Sequence, residues 1–319
     1  MEDGGQYMKY GMDSLNELVE ILQRKRLKYR DNVIIGDNSS GKSLLLKMII
    51  ENYGVTNDVY FIDAVNRGFN TGMVIKEEKK PEYKQTIVNT RIKKEFFNLR
   101  DSFNCYGTLT ERIEQIYFPY EKELQKLFEE LTKERFQIIE GETLGEVSFK
   151  NTKGLLSSGY QAIVRILLEL LYYQEKCVES KNLEHPVVII DEFLSPGYAF
   201  LIMPFLKTKF PKMEFIITTH SCDLVAGAQN ANLIILKDDE YEVLDINDLQ
   251  SISEVQIIFD RVFGEHAVKE NEIEMELRRL LNNKINNAWG EREQIQLKEI
   301  QRKNLTASQQ IICKQISEW

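Results

Sequence analysis

No run of apolar residues in the 319-residue chain approaches the length needed to cross a bilayer; the longest are interrupted by charge and read as buried strands or helix faces. Positive charge is not in excess either. Against 50 Asp and Glu stand 41 Lys and Arg, a net charge of −9, which removes a global electrostatic footprint for nucleic acid and leaves room only for a local patch. A basic run, QRKRLKYR at 23–30, could face phosphate backbones or form a solvated helix face. Cysteine is sparse: Cys105, Cys177, Cys222 and Cys313 lie far apart with no neighbour at zinc-ligand spacing, so free thiols in a reducing compartment are expected. The opening MEDGGQYMKYGMDS is polar and acidic and lacks the apolar centre of a signal peptide, and a cytoplasmic protein away from the membrane is expected. Internal repeats, low-complexity tracts and a long heptad array between Ser43 and Leu156 are also missing, which argues against a coiled-coil tethering arm.

What remains is ordinary globular material, 43% hydrophobic and 29% charged, long enough to bury a large core. Ser14 to Lys28 carries Leu15, Leu18, Val19 and Leu22 at helical spacing. Short apolar runs that read as buried strands recur at NVII, VYFID, VVIID and FIITT, and most are followed by helical patterns. ANLIILKDDEYEVLDI reads as two final strands joined at Asp238-Asp239. Thr110 to Arg135 is helical and charged, with Pro119 as a break, and the chain is helical and polar from Ser253 on. The fold class expected is α/β, a parallel sheet with helices. The core is expected over 1–250 with a helical insertion at about 91–150, and a helical C-terminal region over 251–319.

Between the first strand and the helix after it lies GDNSSGKS, residues 36–43, which fits the phosphate-loop pattern G-x-x-x-x-G-K-[ST] in the required strand–loop–helix context. Gly36 and Gly41 let the backbone turn tightly, so that the N–H groups of Asp37, Asn38, Ser39, Ser40 and Leu44 can join the cradle. Lys42 brings a positive charge to the outer phosphates, the Ser43 hydroxyl is a Mg²⁺ ligand, and the helix N-terminus adds its dipole.

Asp191 and Glu192 end the run VVIIDE. Alone they read equally as an acidic turn. Beside a phosphate loop, at the strand end where open α/β sheets bind ligands, Asp191 reads as a second Mg²⁺ holder and Glu192 as the base that poises a water. His220 closes FIITTHS. Such a histidine is commonly structural, but motif order brings this one to the same sheet edge, where it could report a terminal phosphate.

LLSSGYQAIVRI, residues 155–166, places two serines and a glycine ahead of an apolar helix, a good N-cap in its own right. In order and type, GDNSSGKS, LSSGYQ, VVIIDEF and ITTHS together resemble the ABC-type ATPases, and within them the soluble branch of SMC, RecF-like and OLD-family proteins. The resemblance spans about residues 32–236, and Tyr160 before Gln161 departs from the family's signature. It implies ATP and Mg²⁺ as cofactors and catalytic roles for Lys42, Glu192 and His220. It also implies a homodimer in which Ser157, Ser158 and Gly159 cap the ATP held by the opposite subunit.

The function expected from the resemblance is an ATP-switched dimer that controls a separate effector, such as a nuclease, in bacterial genome maintenance or anti-phage defence, with nucleic acid a possible ligand. Two alternatives stay open: the ATP-binding subunit of a transporter, and an ATPase with its own OLD-like nuclease site. Tyr10 or Tyr29 is a candidate to stack on the adenine, and Gln85 to complete the Mg²⁺ shell.

Overall fold

The computed structural model describes residues 4–37, 40–53, 59–63, 69–74, 113–140, 144–149, 152–154, 156–179, 186–192, 196–237, 240–249, 251–263 and 289–303, with scattered positions from 276 to 317. By chain contacts it divides into two compact units, Met1–Gln256 and Ile257–Trp319.

The first unit is built on a six-stranded sheet in the order β2-β6-β7-β1-β8-β9. Its strands are β1 (Asn32–Gly36), β2 (Val59–Asp63), β6 (Val187–Asp191), β7 (Glu214–Thr218), β8 (Asn232–Lys237) and β9 (Glu240–Asp245). All neighbours pair in parallel except β9, which runs antiparallel to β8. The apolar composition follows from this arrangement. Strands β1, β2 and β7 are buried at every position, so both faces need aliphatic or aromatic side chains. β9 lies at the sheet edge and alternates exposure along its first half.

Two helices cover one face: α1 (Gly4–Gln23) supplies Leu18 and Val19, and α2 (Lys42–Tyr53) supplies Leu45, Leu46, Ile49 and Ile50. They pack on Ile34, Phe61, Ile189, Ile216 and Ile234. Elsewhere in the unit run α3 (Tyr117–Thr132), α4 (Ser158–Glu179), α5 (Ala199–Lys209) and α6 (Cys222–Gly227). Tyr173 of α4 stacks on Tyr60 of β2, ring centroids 4.7 Å apart. α5 and α6 approach so closely that a Cβ on Gly227 would fall 1.9 Å from the Phe200 carbonyl oxygen.

The segment expected to be a helical insertion is only partly helical. α3 is present, but β3 (Phe136–Glu140), β4 (Leu144–Phe149) and β5 (Thr152–Gly154) follow as an antiparallel sheet. Phe136 and Ile138 are buried and Gln137 between them is exposed, a period of two that short length hides in the sequence. Pro119 does not break a helix. It sits in the first turn of α3, where a missing N–H costs no intrahelical bond, after the tighter turn Ile113–Ile116.

The second unit holds a helix at Glu291–Gln301 and a small core of Leu277, Leu280, Leu297, Ile300, Cys313 and Ile316.

Where the parallel strands start, polar side chains tie their ends together. Asp31 Oδ1 accepts the Phe215 N–H at 2.8 Å while Oδ2 meets Lys207 Nζ at 2.7 Å. The Asn232 amide donates to Tyr29 O at 2.8 Å and to Asn32 Oδ1 at 2.9 Å. Replacing Asp31 by Ala leaves the buried Phe215 N–H without its acceptor and removes the ion pair of Lys207, which keeps its bonds to the Gln229 and Asn230 carbonyls, and should lower the unfolding free energy by about 2–3 kcal/mol in a denaturant titration. A loss under about 0.5 kcal/mol would show that this edge contributes little.

Candidate functional site

At the opposite edge the parallel strands finish in step. Gly36, Asp63, Asp191 and Thr218 are the last residues of β1, β2, β6 and β7. Asp63 pairs in register with Asp191, and Thr218 with Ile34. The fold therefore gathers at one edge residues that are far apart in sequence, where sheets of this kind hold ligands.

The loop after β1 has the geometry its glycines require. A Cβ on Gly36 would lie 2.4 Å from Ser40 Oγ and 2.8 Å from Leu236 O, so only glycine fits. Gly41 has φ +92°, a conformation strained for any other residue. Ser40 N–H donates to Asp37 O at 3.1 Å, which closes the turn. Ser40 Oγ is buried without a hydrogen-bond partner among the described residues. Lys42 is buried, its ammonium donating to Gly36 O at 2.6 Å and Asp37 O at 3.0 Å. Burial holds its pKa below the ordinary lysine value, opposed by the charges of Glu192, Asp191 and Asp37. Ser43 and Leu44 stand exposed in the first turn of α2. Asn38 and Ser39 lie outside the described residues.

A buried ammonium, an unsatisfied buried hydroxyl and a glycine cradle make a donor set suited to an anion. The carboxylates beside them suit a hard divalent cation. The residues present thus fit a nucleotide phosphate with Mg²⁺.

Thr218 links the two carboxylate residues. Its hydroxyl donates to Asp191 Oδ1 at 2.6 Å and accepts the Glu192 N–H at 2.9 Å. Glu192 takes φ +54°, a left-handed conformation unusual for glutamate. Its Oε1 lies 3.0 Å from His220 Nε2, so the histidine read as a reporter of the terminal phosphate touches the glutamate in this structure.

Ser157, Ser158 and Gly159 are placed at the start of α4, not within this constellation, and their contacts are local. Ser157 Oγ accepts the Tyr160 N–H at 3.4 Å, a long N-cap bond, and the Gln161 amide donates to Leu156 O at 2.7 Å. Both serines are exposed. Tyr160 is turned inward: its ring meets Phe128 of α3 at 5.4 Å, and its hydroxyl lies 3.2 Å from that of Tyr198, in the turn after Glu192. Burial pushes the Tyr198 phenol up to about 12.

Two expectations change. Tyr29 is not an adenine platform, because it belongs to the strand-start edge: its hydroxyl donates to Asp245 at 3.1 Å and accepts from Asn247 at 2.9 Å. The basic run at 23–30 is largely neutralised, with Arg24 on Glu20, Lys25 and Arg30 on Glu214, and Lys28 on Asp245. That arrangement favours the solvated face over a phosphate-binding one. The side chain of Tyr10, and all of Gln85, lie outside the described residues. Sequence reading missed Thr218 and Asp63. The threonine pair that closes the aliphatic run FIITT was the available signal for the first, and the acid that ends VYFID for the second.

No family model matches the chain. It is 27% identical over 174 residues to a Septu protein PtuA of Bacillus mycoides (strain KBAB4), a match covering 54% of this chain and 24% of that protein, so the chain aligns with about a quarter of the relative's length. Among solved structures, the SMC head domain from Thermotoga maritima aligns at 18% identity and a TM-score of 0.35, over 67% of this chain and 89% of that one. The cbiO1 chain of Clostridium perfringens, part of the ABC transporter complex cbiONQ, aligns at 15% identity and a TM-score of 0.39, over 77% and 88%. Among the described residues, no helix is long and apolar enough to cross a membrane.

The left-handed Glu192 gives a test independent of any ligand. Glu192→Gly and Glu192→Ala both lose the carboxylate, but only alanine keeps the strain. The glycine variant should be the more stable by roughly 0.5–1 kcal/mol in denaturant unfolding. The reverse order would mean that the turn is relaxed in solution.

Proposed function

We propose that the chain is a soluble ABC-type ATPase whose two copies close head to tail on Mg²⁺-ATP, and that the dimer switches a separate effector, such as a nuclease, in genome maintenance or anti-phage defence. The observation that supports this reading best is the meeting of a desolvated Lys42 with Asp191, Glu192 and His220 at one sheet edge.

In this reading the backbone of residues 36–44 and Lys42 bind the phosphates. Ser43 and Asp191 hold Mg²⁺, which when bound offsets charge on the phosphate oxygens. Glu192 orients a water and takes its proton as the water oxygen bonds to the terminal phosphorus. The bond from that phosphorus to the bridging oxygen breaks, releasing ADP and inorganic phosphate. His220, in contact with the Glu192 carboxylate, holds its direction. The exposed N-terminus of α4 is suited to the partner's nucleotide: Ser157 and Ser158 present small side chains to solvent at the start of the helix, where its dipole favours an anion. ATP would then be part of the contact between copies, and its hydrolysis would remove that contact.

The wild-type chain should hydrolyse ATP. Glu192→Gln should trap the ATP-bound pair, read as a doubled mass in analytical ultracentrifugation with Mg²⁺-ATP; a monomer at every nucleotide concentration contradicts the scheme. Ser157→Arg should abolish turnover and leave nucleotide binding by the same chain within about threefold, since a trans residue contributes to the closed state alone. Equal loss of binding and turnover would place the serine in its own chain's site. Metal-dependent cleavage of DNA by the purified chain would replace the separate nuclease with an intrinsic one.

A further inference from the structure

We infer that Thr218 is a positioning residue for hydrolysis, its hydroxyl fixing the Mg²⁺-binding carboxylate and the basic carboxylate in one arrangement; this rests on the ATPase reading and gives a role to a residue that the reading of the four motifs left without one.

The argument starts from cost. Thr218 is fully buried at the end of Glu214–Thr218, a strand buried at every position in which Phe215, Ile216 and Ile217 precede it. Valine has nearly the same shape and would bury without desolvating a hydroxyl. A buried hydroxyl is tolerated when it is hydrogen-bonded, and this one is bonded twice, to both members of the Asp191-Glu192 pair.

The backbone shows what the hydroxyl replaces. The ladder between β6 and β7 runs from Val187↔Glu214 to Ile190↔Ile217 and then ends. Asp191 still pairs with Asp63 of β2, and the chain then leaves the sheet at Glu192, which adopts φ +54°. Thr218 Oγ1 accepts the Glu192 N–H in place of a ladder carbonyl, and the same oxygen donates its own proton to Asp191 Oδ1. One atom therefore sets the rotamer of Asp191 and the turn of Glu192, and that turn brings Glu192 to His220. On the other side Thr218 is in register with Ile34, and the Thr219 N–H donates to Ile34 O at 3.1 Å, so the clamp is braced by the strand that launches the phosphate loop. Thr218 touches no reacting atom itself and acts through the two carboxylate residues.

The test compares Thr218→Val, which keeps the shape, with Thr218→Ser, which keeps the hydroxyl. Two readouts are taken: ATP turnover, and the affinity of a fluorescent non-hydrolysable ATP analogue with and without Mg²⁺. Thr218→Val should lower kcat by about 10–100-fold, as expected for one hydrogen bond to a charged group, with ATP KM moving far less. It should leave metal-free analogue binding within about twofold while shrinking the gain in affinity that Mg²⁺ gives. Thr218→Ser should restore both. Thr218→Ala serves the same comparison if the valine variant does not fold. Wild-type kcat and Mg²⁺ gain in Thr218→Val overturn the inference, as does a serine variant as impaired as the valine one, since packing would then be the whole effect. A wild-type chain that neither binds nor hydrolyses ATP removes the ATPase reading itself, an outcome separate from an unimpaired valine variant in an active enzyme.

Discussion

The parallel ladder through β2, β6, β7 and β1 is the constraint on which the rest of the molecule depends. Its registers carry the strand ends to a common edge: Asp63 beside Asp191, and Thr218 beside Ile34 in the strand that ends at Gly36. A slip of one residue in β6 would turn Asp191 to the other face of the sheet and leave Glu192 in its place. In the observed register Val187, Ile189, Ile216 and Ile34 fill the core under the cover of α1 and α2, and close packing there favours that register. The hydrophobic core thereby sets the spacing of the polar edge.

The two edges of the sheet divide the work. At the strand starts, buried polar groups are paired: Asp31 with a backbone N–H and a lysine, Asn232 with backbone and side-chain partners. At the strand ends, several groups sit in states that folding alone does not favour. Lys42 is desolvated, Ser40 Oγ is buried without a hydrogen bond among the described residues, and Glu192 is left-handed. Such local departures gather at functional sites, where the surrounding structure holds them in place. Here the holding group is a single threonine hydroxyl together with the glycines of the loop.

The legible parts of the sequence were the local ones. The phosphate loop declares itself because its glycines, lysine and serine lie within eight residues between a strand and a helix, and the central strands do so through unbroken apolar runs. Thr218 was not legible, since its role appears only when two strands are placed in register. Tyr29 misled for a related reason: it is close in sequence to the loop, yet β1 separates them by the length of a strand, roughly 17 Å, and leaves them on opposite edges. In the insertion, the helical character of Thr110–Arg135 was carried too far. The two-residue period in Phe136–Glu140 is too short to outweigh the helical pattern ahead of it.

Because the strand-end edge with Lys42 and the N-terminus of α4 lie apart in the chain, the proposal that they meet on one nucleotide across a pair of chains has a direct test. Lys42→Ala and Ser157→Arg should each be inactive alone, one for want of phosphate binding and the other for want of a cap. Mixed in equal amounts with ATP and Mg²⁺, they can form a pair in which one site joins an intact phosphate loop to an intact signature. The account predicts that ATP turnover reappears in the mixture. A mixture as silent as its two components would contradict it.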